Sequence, residues 1–248
     1  MTKFINRLNN NTLAYNQLIG KDVGIVFLSG FNSDMQGKKA LYLEKWAKEN
    51  NHSFLRFDYS GHGQSSGTID TTCFSDWYED AEFLINKLTQ GKQILIGSSM
   101  GAWVMLMLAK RIPKKISAII GLAPAPDFPK LLIWDKMTWD EKRKLIKNKM
   151  TTIRYEDGSK NDFSYKLIKD SFKNLTLLES IYFNGPVYLY HGIDDDAVPY
   201  DLSIKIIKTF TGTKDVKLLL EKDAGHRLSE THQLLNITDI IQEIKTKL

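Results

Sequence analysis

Gln93-Ile94-Leu95-Ile96-Gly97-Ser98-Ser99-Met100-Gly101-Ala102-Trp103 decides the reading of this chain. Its first four residues carry the unbroken apolar run of a buried strand, and Ala102 to Ala109 continue as an apolar helix. The join between them is G-x-S-x-G, the pattern of a strand-to-helix turn so tight that small residues must flank the serine. Ser99 is therefore the candidate nucleophile, with the positive end of the following helix beneath it. The Met100 N–H then faces the place where an oxyanion would develop. A plain strand-to-helix turn can carry the same five letters, so the rest of the chain has to supply the partners.

Outward from this elbow, strand and helix patterns alternate. Val23–Leu28, Ser53–Phe57 and Ile116–Gly121 read as buried strands, and residues 38–50 and 74–88 as helices. In the second helix Trp77, Ala81, Leu84, Ile85 and Leu88 are expected on the sheet side, and Asp76, Glu79, Asp80 and Glu82 on the solvent side. Such alternation predicts an α/β fold: a mostly parallel central sheet with helices on both faces. Before it, residues 3–8 and 12–18 read as an antiparallel hairpin around Asn9-Asn10-Asn11. After it, the alternation stops at Leu122-Ala123-Pro124-Ala125-Pro126-Asp127.

Residues 128–185 are expected to be helical or irregular, an inserted cap over the carboxyl ends of the strands, with residues 1–127 and 186–248 forming the core domain. The insert is rich in lysine and in aromatics, among them Phe128, Trp134, Trp139, Tyr155, Phe163, Tyr165 and Phe172. These rings either line an acyl pocket or form the insert's own small core, and Trp103 and Trp134 are the pocket candidates. The sheet resumes at Pro186–Tyr190, followed by a helix over 200–210, a last strand at Val216–Leu220 and a final helix from about 229 to 246.

Three loops at strand ends carry candidate chemistry. Ser29-Gly30-Phe31 either starts the next helix or brings the Phe31 N–H to an anion hole. Asp194, Asp195 and Asp196 follow the 186–190 strand, where a carboxylate serves as a helix cap or as the acid of a triad; the loop is too short for alternating calcium ligands. His226 follows the last strand. Serine, then acid, then histidine is one known chain order for nucleophilic hydrolysis. A neutral serine needs a base to accept its proton, and that base needs a carboxylate to fix its tautomer. The Gly-rich run at 58–67 lacks the spacing of a phosphate loop, so it and His62 read as structural.

With 248 residues, 42% apolar and 25% charged, the chain suits a single catalytic unit with a real core. The net charge of +5 is scattered, densest from Lys142-Arg143-Lys144 to Lys149, and reads as solvated surface with no nucleic-acid partner. One cysteine, Cys73, excludes an internal disulfide and fits a reducing compartment. No run approaches a membrane span, and Met1–Arg7 has no apolar signal core. Lysine outnumbers arginine 28 to 6, a usage that fits an AT-rich genome and points to a bacterial cytoplasm.

On these residues the chain resembles the α/β-hydrolase family over nearly its whole length. Residues 93–103, Arg56-Phe57-Asp58-Tyr59-Ser60-Gly61-His62-Gly63, the HG-x-x-D-x-x-V-P run at 191–199 and His226-Arg227 are similar to the mitochondrial acyl-glucuronidase and palmitoyl-protein thioesterase branch and its bacterial relatives. The resemblance implies Ser99 as nucleophile, His226 as base and Asp195 as acid, with Asp194 and Asp196 as rivals, and Phe31 and Met100 as the oxyanion hole. It implies a hydrolase of carboxylic esters or thioesters needing no cofactor and no metal. Its substrate would be a small molecule or a lipid acyl group, acylated proteins included. Peptidase, perhydrolase and carbon–carbon hydrolase reactions share this triad, and some members of the fold only bind ligands. Ser29 stands where many members have histidine, and Gly225 where relatives often have aspartate.

Overall fold

The computed structural model describes residues 1–7, 11–154, 158 and 160–248. An eight-stranded sheet has the order β1-β2-β4-β3-β5-β6-β10-β12. These strands are β1 (Lys3–Asn6), β2 (Thr12–Leu18), β3 (Asp22–Leu28), β4 (His52–Phe57), β5 (Gln93–Ser98), β6 (Ile116–Leu122), β10 (Val187–Gly192) and β12 (Val216–Glu221). β2 runs antiparallel to β1 and β4, and the pairs from β4 through β12 are parallel. The hairpin at the N-terminus forms as expected, although Asn9 and Asn10 of its turn lie outside the described residues.

Period-two alternation divides the core. Ile25, Phe27, Ile94, Ile96, Ala118 and Ile120 face one side, where α1 (Lys38–Glu49) and α7 (Thr231–Lys245) bury Leu43, Ile237 and Ile241 against them. Val26, Leu28, Leu95 and Ile119 face the other, under α2 (Phe74–Leu88), α3 (Met100–Arg111) and α6 (Asp201–Thr209). Both faces of the sheet are thus covered, which explains the continuous apolar runs in its central strands.

On α2 the expected solvent face needs one correction. Asp80 is fully buried; it accepts from the Ser60 N–H at 2.8 Å and pairs with Arg7. It stands three residues after Trp77 and four before Leu84, hence on the inner face, and the cation comes from the N-terminal hairpin. Burial pushes its carboxyl up despite the Ser60 and Arg7 contacts.

The 128–185 segment differs from the helical or irregular expectation. It holds an antiparallel hairpin of β7 (Met150–Arg154) and β8 (Lys160–Ser164) between α4 (Trp139–Asn148) and α5 (Tyr165–Ser171). β-Branched Thr151, Thr152 and Ile153 suit a strand, a signal submerged in the lysine-rich composition. Tyr155 lies outside the described residues. A further short strand, β9 (Ile181–Tyr182), pairs in parallel with β11 (Phe210–Thr211) beside the main sheet.

Two buried or half-buried carboxylates help fasten this segment to the rest. Ser75 at the start of α2 donates its N–H and hydroxyl to Asp170 at 2.8 and 2.9 Å. Asp127, buried and in left-handed backbone (φ 56°), accepts from the Thr176 N–H (2.8 Å), the Thr176 hydroxyl (3.0 Å) and the Leu177 N–H (3.0 Å). It thereby ties residues on either side of α4, β7, β8 and α5 together. Asp127→Ala leaves two buried donors and one half-buried donor without their acceptor and is expected to lower the unfolding free energy by about 2–4 kcal/mol in urea titrations. A loss below ~1 kcal/mol would show that the ends hold without it.

His62 packs as the sequence suggests. It is buried edge-on to Trp77 and Tyr59, with ring centroids 5.2 and 5.7 Å away. Its Nδ1–H donates to the Ser60 carbonyl at 3.3 Å, and its Nε2 has no hydrogen-bond partner among the described residues. Burial pushes its pKa down to about 4 against the weaker opposing effect of that carbonyl. The unfolded chain therefore takes up this proton first as pH falls. The His62 contribution is intact above its unfolded pKa of ~6.5 and is lost progressively down to the folded value, by about 3 kcal/mol in all. Melting curves of wild type and His62→Phe should diverge over that window, the variant losing less stability on acidification. Parallel curves would contradict a neutral, buried His62.

Candidate active site

Ser99 sits between β5 and α3 with φ 55° and ψ −118°, a conformation rare for a residue with a side chain. Its neighbours explain how the chain makes the turn. A Cβ on Gly97 would stand 2.5 Å from the Ala102 Cα, and one on Gly101 would stand 2.0 Å from the Leu28 carbonyl oxygen. Only glycine lets β5, β3 and α3 approach this closely. The elbow is also tied down by backbone: the Ser99 N–H donates to the Leu122 carbonyl at 2.8 Å, and the Ala102 and Ala125 N–H groups donate to the Ser99 carbonyl at 3.0 and 3.1 Å.

The three parallel strands β5, β10 and β12 deliver Ser99, Asp195 and His226 from their carboxyl ends to one point. The Ser99 Oγ lies 3.0 Å from His226 Nε2, and His226 Nδ1 lies 2.7 Å from Asp195 Oδ2. A carboxylate only accepts, so Nδ1 carries the proton and Nε2 is left to accept from the serine hydroxyl. Of the three consecutive aspartates, Asp195 is the one that meets His226. Its other oxygen accepts from the Ala197 and Val198 N–H groups at 3.0 and 2.7 Å. Burial opposes its charge, but the hydrogen bonds from His191 and His226 outweigh that and hold the carboxyl well below the usual range.

His191 is a participant that sequence reading used only as a landmark of its motif. Fully buried on β10, it places Nε2 3.0 Å from both Asp195 Oδ2 and the Val198 carbonyl, and Nδ1 2.7 Å from the Ser203 hydroxyl of α6. Two acceptors at Nε2 require a proton there, and Nδ1 is held by the Ser203 hydroxyl on the other side of the ring. Asp195 is thus gripped from behind. The signal for this was the fixed spacing from His191 to Asp195 within one motif.

Two backbone segments adjoin the serine, the start of α3 and the turn after β3. Met100 is the first residue of α3, where N–H groups lack intrahelical partners. Phe31 belongs to the turn after β3, and a Cβ on its neighbour Gly30 would stand 3.4 Å from the Ser99 Cβ. The turn therefore lies directly against the serine. At Gly225 an added Cβ would meet only the Asp194 carbonyl, at 3.8 Å, so the loop before His226 is loosely filled there.

Ser99 and His226 open into a cleft of about 960 Å³. Its apolar wall is built of Phe31, Phe128, Ile133, Met137, Phe163 and Val198, and its lining also carries the charged Asp34, Lys38, Lys39, Lys136, Glu141, Asp196 and Arg227. Burial, with Arg227 nearby, pushes the Lys39 pKa down to about 8. Trp103 and Trp134, expected in this pocket, are not among its walls. Trp103 is fully buried on α3, stacked on Phe74 at 3.4 Å and donating to the Asn174 carbonyl at 3.2 Å. Trp134 packs against Tyr165 and Phe172 instead. Among the aromatics of the 128–185 segment it is Phe128 and Phe163 that reach the cleft, where Phe163 stacks on Phe31 at 5.0 Å.

The doubly covered sheet with its serine elbow places the molecule in one class, and comparison agrees: residues 25–152 match the α/β-hydrolase-fold family model, and the chain belongs to that family. At the level of individual proteins it is 35% identical to the human mitochondrial palmitoyl-protein thioesterase ABHD10, across 98% of this chain and 81% of that protein. The solved structure of mouse alpha/beta hydrolase domain-containing protein 10 superposes with a TM-score of 0.93 at 31% identity, covering 100% of this chain and 99% of that one. A protein of Agrobacterium vitis S4 gives 0.93 at 29% identity, with 98% of both chains covered.

Proposed function

We propose that this protein is a serine hydrolase that cleaves carboxylic esters or thioesters through an acyl-enzyme. The observation that carries the reading is the continuous hydrogen-bonded line from Ser99 Oγ through His226 to the buried Asp195, at 3.0 and 2.7 Å. In the first step His226 Nε2 takes the serine proton as Oγ attacks the acyl carbon, and the Phe31 and Met100 N–H groups receive the oxyanion. His226 then returns the proton to the departing alcohol or thiol. A water takes the leaving group's place and attacks the acyl carbon as His226 takes its proton; the bond from carbon to Oγ breaks, the acid leaves and His226 passes the proton to Ser99 Oγ.

The apolar wall of the cleft suits an acyl chain, and the thioesterase name of the ABHD10 relatives favours lipid-acyl substrates, acylated protein among them. Residues 128–185 act as a cap, since Phe128, Ile133, Met137 and Phe163 come from them and form much of that wall. We place the enzyme in a reducing cytoplasm: its one cysteine, Cys73, is buried and its thiol is pushed up to about 12 by burial and by Asp76. No helix among the described residues is long and apolar enough to cross a membrane.

A chain-length series of p-nitrophenyl esters and acyl-CoA thioesters tests the reading. Turnover that rises from short to medium or long chains is expected, and absence of turnover across both series contradicts it.

A further inference from the structure

The densest basic stretch of the chain takes no part in the chemistry above. From Lys136 to Lys149 there are six cations, Lys136, Lys142, Arg143, Lys144, Lys147 and Lys149, against Asp140 and Glu141. This stretch is α4 and its flanks. Trp139, the first residue of the helix, is 79% exposed, and Ile146 is 39% exposed. Trp139, Arg143, Ile146 and Lys147 stand at i, i+4, i+7 and i+8, hence on one outward face. The opposite face buries Leu145 in the protein. An exposed indole and isoleucine sharing one helix face with cations is the composition of an interfacial helix. Lys142 lies over the Trp139 and Trp134 rings at 5.4 and 5.3 Å, which sets the indole among cations.

Position adds a second argument. Lys136, Met137 and Glu141, from the same helix and its approach, line the cleft that holds Ser99. The helix that carries this face therefore also borders the cleft. Of the two acids, Asp140 is paired with Arg143 at 2.6 Å, and Glu141 accepts from the Thr138 N–H and hydroxyl at 2.8 Å each. The face remains basic.

We propose that α4 is a docking surface for an anionic lipid bilayer, with Trp139 and Ile146 entering the interface and Lys144, Lys147 and Lys149 meeting lipid phosphates. Indole rings settle at the headgroup level, and each lysine near an anionic membrane strengthens binding about fivefold. Docked this way, the enzyme takes acyl substrates from the membrane surface. The docking itself does not depend on the reaction assigned to Ser99, so binding is measured apart from activity.

The test is co-sedimentation of the full chain with phosphatidylcholine vesicles, with and without phosphatidylglycerol, at low and physiological salt. Binding is expected only with phosphatidylglycerol, weaker at the higher salt, and unchanged in Ser99→Ala. Lys144→Ser/Lys147→Ser should bind roughly 30-fold more weakly, and vesicles should shift tryptophan emission to the blue in wild type but far less in Trp139→Ser. Both variants should hydrolyse a soluble short-chain ester at the wild-type rate, which certifies their fold. Three results overturn the proposal: wild type staying in the supernatant with anionic vesicles, the double variant binding as tightly as wild type, or tight binding to soluble polyglutamate with no blue shift from vesicles. The last would mark the face as a site for an acidic protein.

Discussion

Ser99→Ala should reduce kcat by about 10⁵-fold or more with any ester or thioester that the wild type turns over, and should abolish labelling by a fluorophosphonate. The size of the effect follows from the geometry. Removing Oγ removes the atom that attacks in the proposed mechanism, and the hydroxyl bonded to His226 Nε2 is that of Ser99. Ser98 ends β5 and also lines the cleft, so Ser98→Ala is the natural control. It should keep activity within a few fold, because the partner at 3.0 Å from His226 is the Ser99 hydroxyl. Equal losses in the two variants would contradict the assignment. Circular dichroism and melting curves separate this from misfolding, since loss of one hydroxyl leaves the elbow backbone bonds in place.

Asp195→Asn should be the second largest loss, about 10⁴-fold in kcat with little change in KM. An amide at this position can turn its NH₂ toward His226 Nδ1, which then accepts, and the ring presents its remaining proton to Ser99 in place of a lone pair. The side chain is fully buried between His226 and His191, so solvent cannot supply a substitute carboxylate. Asp194→Asn and Asp196→Asn make the discriminating comparison and should stay within several fold of wild type. A large loss in either, with Asp195→Asn mild, would move the acid to a different residue. The carboxyl of Asp195 also titrates well below the usual range, so it remains charged and the acid limb of the pH profile should not report its protonation.

Much of this arrangement is legible in the sequence because the signals are local. Buried runs at 23–28, 93–96 and 116–121 announce the parallel strands, and Gly97 and Gly101 announce an elbow whose contacts forbid a side chain. The candidate residues at strand ends then converge because parallel strands share one carboxyl edge. Choosing Asp195 among three aspartates took the motif beginning at His191, and the hydrogen bonds to both histidines give the physical reason.

What escaped depended on partners distant in sequence. Asp80 is tolerated in the core because Arg7, seventy-three residues earlier, reaches it. Trp103 turns toward Phe74 of α2, a direction that the elbow helix alone does not encode. The β7–β8 hairpin is short and half-exposed, so it lacks the buried run that marks the central strands. His191 looked like a motif letter because its role exists only once α6 brings Ser203 to its other nitrogen.

A covalent acyl-enzyme at one serine is the central intermediate of the proposed reaction, and trapping it is the most direct measurement. A long-chain acyl thioester mixed with enzyme, quenched in acid during turnover and digested, should yield the peptide containing Ser99 heavier by one fatty acid minus water, with fragmentation placing the mass on that residue. Turnover with no acylated peptide, or acylation of a different side chain, would contradict it.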